Sequence, residues 1–175
     1  MSNKIRRQIE RYVKSLKWTP KDFYWKHALL VKKFSLMIQR RVGGDKDVVE
    51  ISALMHDVGK AKLLTPGHEK ISAKLTEQFL KKIEFNQDKI QKIVNCIKYE
   101  NFKTIESKIL CSADSLSLIM DVSGGREWFF KNILKNKKEQ ILKELEKSYS
   151  EIRIDFARRF IRERYKSLLK KIRSI

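Results

Sequence analysis

Ser52-Ala53-Leu54-Met55-His56-Asp57-Val58-Gly59-Lys60 decides how the rest of this chain is read. An apolar run of helical character ends on an imidazole and a carboxylate side by side, followed by a glycine and a lysine. Carrying such groups into a core is costly unless they are paired, hydrogen-bonded or bound to a metal. The spacing predicts a helix through Val48, Val49, Ile51, Ala53, Leu54 and Met55, capped by Asp45 or Asp47 and stopped by Gly59. Partners for the doublet then have to come from elsewhere in the chain.

Towards the N-terminus, Ile5, Ile9, Val13 and Leu16 give a short amphipathic helix over residues 4–16. Thr19-Pro20-Lys21-Asp22 reads as a helix start, with a capping threonine and a first-turn proline. That helix runs to Val42, where Gly43-Gly44 ends it. Towards the C-terminus, Lys60 to Gly67 reads as a loop. A helix from about His68 carries Ile71, Leu75 and Phe79. Asn86 caps one carrying Ile90, Ile93, Val94, Cys96 and Ile97, and Thr104 or Glu106 opens one through Ile109, Leu110, Leu116, Leu118 and Ile119. After Ser123-Gly124-Gly125, apolar patches at Trp128, Phe129, Phe130, Ile133 and Leu134, and at Ile141, Leu142 and Leu145, precede a long helix from about Tyr149 to Ile172. With no strand or repeat in the pattern, the expected fold is all-α and a single domain over residues 1–175.

The 175 residues are enough to bury a substantial core, and 42% hydrophobic content suits a soluble protein. No apolar run approaches the ~20 residues of a membrane span. The start, Met-Ser-Asn-Lys-Ile-Arg-Arg, lacks the apolar stretch of a secretory signal. Cys96 and Cys111 are too few and too far apart for a disulfide framework or a zinc knuckle. They are expected as reduced core thiols of a cytoplasmic protein. Forty Lys and Arg against 21 Asp and Glu give a formal charge of +19, which favours anionic partners: nucleotides, nucleic acid or acidic lipid. The blander account is a lysine-rich surface that keeps the chain soluble, since lysines occur in every segment.

The chain has three histidines, each at an informative position. His27 shares a helix face with Leu30, Val31 and Phe34, so it points to the core. His56 follows Val49, Ser52 and Ala53 on one face, and His68 opens a helix. Any one of them alone reads as a hydrogen-bonded core residue. Asp114 lies mid-helix between Leu110 and Cys111 on one side and Ser117 and Leu118 on the other. A lone carboxylate on such a face would be driven to neutralise. Its partner is a divalent cation or, in the plainer account, a lysine or a backbone amide. Two imidazoles and two carboxylates suit Mn, Fe, Co, Ni, Zn or Mg, and a cation so held would lower the pKa of a bound water and polarise a phosphoryl oxygen. Lys60, one turn past the doublet, can neutralise a phosphate.

The order His27 … His56-Asp57-Val58-Gly59-Lys60 … Asp114 resembles the HD-domain superfamily of metal-dependent phosphohydrolases. Gly67-His68-Glu69-Lys70-Ile71-Ser72-Ala73 and Ser112-Ala113-Asp114 add to the likeness, which covers about residues 20–120. The resemblance implies an HD-like helical bundle around a divalent metal, with residues 124–175 as a C-terminal helical extension. It implies His27, His56, Asp57 and Asp114 as ligands, with Asp57 able to bridge two metals. Lys60 would contact phosphate, and His68 would bind a second metal or the substrate. Where two-metal relatives place another histidine, this chain has Tyr99-Glu100-Asn101, with Glu100 a possible second-metal ligand. The chain lacks the Gly-Tyr-Pro element of cyclic-dinucleotide phosphodiesterases and the Glu-Asp of alarmone hydrolases. The expected activity is hydrolysis of a phosphomonoester or phosphodiester, of a nucleotide or another phosphorylated small molecule. The competing expectation is a non-catalytic nucleotide- or nucleic-acid-binding module on the same fold. In the final helix, Arg158, Arg159, Arg162, Arg164 and Lys166 offer either a site for anions or a solvated face. No residue reads a base or a sugar, and nothing in the sequence speaks to oligomeric state.

Overall fold

The computed structural model describes residues 1–17, 21–62, 67–98, 102–120, 127, 130–131, 135 and 137–174. Helix α1 spans Asn3–Ser15, α2 Lys21–Val42, α3 Lys46–Met55, α4 His68–Lys82, α5 Gln87–Ile97, α6 Ile105–Met120, α7 Lys138–Ser150 and α8 Asp155–Arg173. A 3₁₀ turn, Val58–Ala61, joins α3 towards α4. The described residues contain no strand, so the chain is all-α. The expected starts at Thr19-Pro20, the stop at Gly124-Gly125 and most of the aromatic patch at 128–134 lie outside the described residues, as does Glu100.

The helix borders follow local chemistry. Gly43 and Gly44 take φ of +83° and +98°, left-handed values that end α2 at little cost for glycine. Asp45, rather than Asp47, caps α3, accepting from the backbone N–H groups of Asp47 and Val48. Asn86 accepts from Lys89 N–H, and Thr104, rather than Glu106, accepts from Ser107 N–H.

Helix α3 is the centre of the fold, with every residue from Val48 to Met55 buried. Glu50 belongs to that run because Arg6 of α1 donates to both its oxygens, at 2.8 and 3.3 Å. Two apolar clusters form around this helix. Ile51, Leu54 and Met55 pack with Ile9 and Val13 of α1, Ala73 and Leu80 of α4, and Ile90, Ile93 and Ile97 of α5. Val49 and Ala53 face the other cluster, with Val31, Phe34 and Ile38 of α2 and Leu110, Ala113 and Leu116 of α6. Ile141, Leu145, Ala157 and Ile161 of α7 and α8 close that second cluster, so the C-terminal helices share a core with α2 and α6. Cys96 and Cys111 are free and buried, and burial pushes both thiols up to about 12.

Two expectations need correcting. Gly59 does not stop α3, which ends at Met55 with His56 still in helical geometry. Gly59 instead lies in the 3₁₀ turn, against α4, where a Cβ would meet the His68 carbonyl oxygen at 2.3 Å and Ser72 N at 2.8 Å. It is glycine because two backbones meet there. On α4 the buried face is Ser72, Ala73, Thr76 and Leu80, with Ile71, Leu75 and Phe79 only partly covered. The small residues face inward because the 3₁₀ turn presses on that side. Finally, the long helix from Tyr149 to Ile172 is broken. Tyr149 belongs to α7, and Ile152 to Ile154 are non-helical before α8, because Ser112 Oγ accepts from the backbone N–H groups of Arg153 (2.9 Å) and Ile154 (3.2 Å).

Gly59→Ala is expected to lose about 1–3 kcal/mol, because the facing atoms are backbone and cannot rotate away. Ser112→Ala is expected to lose a similar ~1–3 kcal/mol by leaving inter-helix N–H groups without their acceptor. Urea denaturation measures both, and a wild-type midpoint for either variant contradicts its argument.

Candidate metal centre

Four chain segments meet at the end of α3. His27 comes from the second turn of α2, and His56 and Asp57 link the end of α3 to the 3₁₀ turn. His68 is the first residue of α4, and Asp114 lies mid-way along α6. Helix α2 packs along both α3 and α6, which puts its histidine between their polar residues. The Gly59 contact, with Gly59 N–H donating to Ser72 Oγ at 2.9 Å, draws the start of α4 against the turn after Asp57.

The distances are those of one cluster. His27 Nε2 stands 3.1 Å from His56 Nε2, 3.1 Å from Asp114 Oδ1 and 3.4 Å from Asp57 Oδ2. His56 Nε2 stands 3.5 Å from Asp57 Oδ2 and 3.6 Å from Asp114 Oδ1. Donor atoms held 2.0–2.1 Å from a common cation stand about 2.9 Å apart in an octahedron and about 3.3 Å in a tetrahedron. The observed separations are of that size. His56 Nδ1 lies 2.9 Å from the Ala53 carbonyl oxygen, which can only accept, so a neutral His56 carries its proton on Nδ1 and turns a bare Nε2 lone pair to the cluster. Two carboxylates and that lone pair converge on one point that calls for positive charge. His27, His56 and Asp57 could hold a metal together, and Asp114 stands on the same two imidazoles.

The electrostatics agree with the geometry. Burial disfavours charge on His27, but its bonds to Asp114 and Asp57 outweigh that and raise it to about 9. Burial likewise disfavours charge on Asp57 and Asp114, which pushes them upward, yet both lie well below the usual carboxylate value. The charges of a protonated His56 and of Lys60, with bonds from His27 and His68, depress Asp57, while bonds from His27 and from a protonated His56 dominate at Asp114. Asp114 was expected to face neutralisation unless partnered, and its partners are the two histidines. Its side chain is 37% exposed against 5% for Asp57, so the cluster opens on the Asp114 side.

Around this group, Lys60 Nζ donates to Asp57 Oδ2 at 2.8 Å and lies 5.9 Å from the centre of the Tyr24 ring. His68 Nε2 is 3.2 Å from Asp57 Oδ1. The two oxygens of Asp57 are thus divided, Oδ2 towards His27, His56 and Lys60, Oδ1 towards His68. His27, His56, Asp57, Lys60, His68 and Asp114 come together here, whereas Glu100 lies outside the described residues. The sequence did not single out Ser117, whose hydroxyl is 3.2 Å from His27 Nδ1, nor Tyr24 under Lys60. The available signal for Ser117 was a polar residue one turn from Asp114 on a face otherwise apolar. The arginines of α8 are not part of the site's ion pairs, and Arg159, Arg162 and Arg164 are exposed.

Comparison with known proteins bears on the family and the fold. A Ribonuclease Y of Campylobacter concisus is 28% identical over 139 residues, covering 78% of this chain and 26% of the relative. One from Campylobacter jejuni is 29% identical over 117 residues, covering 66% and 22%. The chain thus spans about a quarter of the length of these curated relatives. The crystal structure of Bacillus subtilis YpgQ superposes with a TM-score of 0.75 at 23% identity, covering 95% of this chain and 91% of that one. YpgQ in complex with ADP gives 0.76 at the same identity, covering 95% and 90%. None of the described helices is long and apolar enough to cross a membrane. The HD-domain family model matches residues 24–119, from the first turn of α2 almost to the end of α6, and the chain therefore belongs to the HD-domain family.

Proposed function

We propose that this chain is a divalent-metal-dependent phosphohydrolase acting on a phosphomonoester or phosphodiester, of a nucleotide in particular. The observation that carries this is the meeting of two imidazole Nε2 atoms and two carboxylates at separations of 3.1–3.6 Å, with Lys60 and His68 on either side of Asp57. His27, His56, Asp57 and Asp114 would hold the cation. When bound, it supplies Lewis acidity that lowers the pKa of a coordinated water and polarises a phosphoryl oxygen.

The chain's own residues do the rest. Asp57, fixed by Lys60 and His68, keeps one oxygen towards the histidines. Burial works against the Lys60 charge, but the Asp57 and Asp114 charges outweigh it, so Lys60 stays an ammonium able to stabilise the charge developing on a phosphoryl group. His68 is placed to add a second donor. The exposed side of Asp114 is the way in for an anion, and the +19 charge raises its local concentration. The ADP bound by YpgQ and the ribonuclease name of the sequence relatives support a phosphate-bearing ligand. Nucleotide or nucleic-acid binding without hydrolysis is the second reading, favoured by the +19 charge.

The test is elemental analysis of the purified chain, then assay of nucleotides and p-nitrophenyl phosphate esters with each divalent metal. Asp57→Ala is expected to lose the metal and turnover together, and hydrolysis that persists in that variant sinks the proposal. Lys60→Gln is expected to keep the metal and lower kcat by roughly 10²-fold. RNA binding that falls steeply with salt and survives Asp57→Ala, with no hydrolysis in the wild type, selects the second reading.

A further inference from the structure

The two histidines at the centre have their outer ring nitrogens fixed in different ways. His56 Nδ1 meets the carbonyl of Ala53, three residues back in its own helix, so no side-chain substitution removes that acceptor. His27 Nδ1 meets a side chain from another helix, Ser117 Oγ of α6, 90 residues away and 3.2 Å distant. Ser117 is itself buried, with 3% of its surface exposed.

A hydroxyl has one proton to give and lone pairs to receive. The Ser117 proton goes to the Asp114 carbonyl oxygen at 2.7 Å, which can only accept. Towards His27, Ser117 is then restricted to accepting, and a neutral His27 must carry its proton on Nδ1. That leaves Nε2 bare, facing His56, Asp57 and Asp114. Without Ser117 the preference reverses. Asp114 Oδ1 and Asp57 Oδ2, at 3.1 and 3.4 Å from Nε2, would both receive a proton placed there. The carboxylates that attract a cation also favour the imidazole tautomer that cannot bind one.

We propose that Ser117 is a positioning residue that holds His27 in its cation-binding tautomer, against the pull of Asp57 and Asp114. This rests on the metal-centre reading above. The same bond ties Asp114's own backbone to His27's ring, so one hydroxyl sets the relation between a ligand of α2 and a ligand of α6. Outer partners of metal-bound histidines commonly account for about 10- to 100-fold in metal affinity.

The experiment compares Ser117→Ala, Ser117→Cys and Ser117→Thr, measuring Mn²⁺ and Zn²⁺ affinity by competition with a chromophoric chelator. Urea denaturation of the metal-free proteins runs in parallel. The expected order has Thr near wild type, because it keeps the hydroxyl, and Ala and Cys weaker by about 10- to 100-fold. Metal-free Ser117→Ala is expected to keep a cooperative urea transition, at a midpoint lowered by the loss of the acceptor for His27 Nδ1–H. A residue that only fills space gives the opposite order, with Thr worst because of its extra methyl group in a buried position. That order, or a Ser117→Ala variant that binds metal like the wild type, overturns the inference. Should Ser117→Thr not fold, the Ala and Cys affinities decide it alone. A wild-type chain that binds neither ion removes the metal-centre reading and this inference with it.

Discussion

A convergence of negative charge and lone pairs at the end of α3 governs this structure. His27 Nε2 and His56 Nε2 stand 3.1 Å apart with carboxylate oxygens of Asp57 and Asp114 around them. Such a group is stable only with positive charge in its midst. The rise of His27 to about 9 is the protein's own response, a proton attracted to where a cation would sit. The surroundings follow from this demand. Lys60 lies against one oxygen of Asp57, His68 against the other, and the small residues of α4 let the turn carrying Gly59 come close enough to bring His68 in.

Much of this could be read from the chain. The helical spacing of Leu30, Val31 and Phe34 placed His27 towards the core, and the apolar run before His56 placed the doublet at the end of a buried helix. Asp114 stood out because a carboxylate among Leu110, Cys111 and Leu118 needs a partner. The stops at Gly43-Gly44 and the cap at Asn86 were legible because they depend on local backbone chemistry. These features share one property: each is decided within a turn or two of chain.

What escaped depends on contacts between distant segments. Gly59 looked like a helix stop, a common use of glycine, whereas its actual constraint is the His68 carbonyl lying where a side chain would go. The break after Ser150 was hidden because Ile152 and Ile154 continue an apolar pattern, while the acceptor that takes the Arg153 and Ile154 N–H groups out of the helix is Ser112, some forty residues earlier. Glu50, in a buried stretch, shows its partner Arg6 only when α1 is laid against α3. Ser117 is the same case inside the site. A serine on an apolar helix face tells nothing of the imidazole that reaches it from 90 residues away.

That separation along the chain has a thermodynamic side. His27 and His56 are 29 positions apart, and Ser117 is 90 from His27, so the cluster exists only when α2, α3 and α6 are all in place. A cation that recognises the assembled group and not the open chain adds its binding free energy to folding, growing with the logarithm of its concentration. With such a cation bound, the centre would act as a reversible clasp across three helices, closing loops whose entropy the apolar core would otherwise have to offset alone.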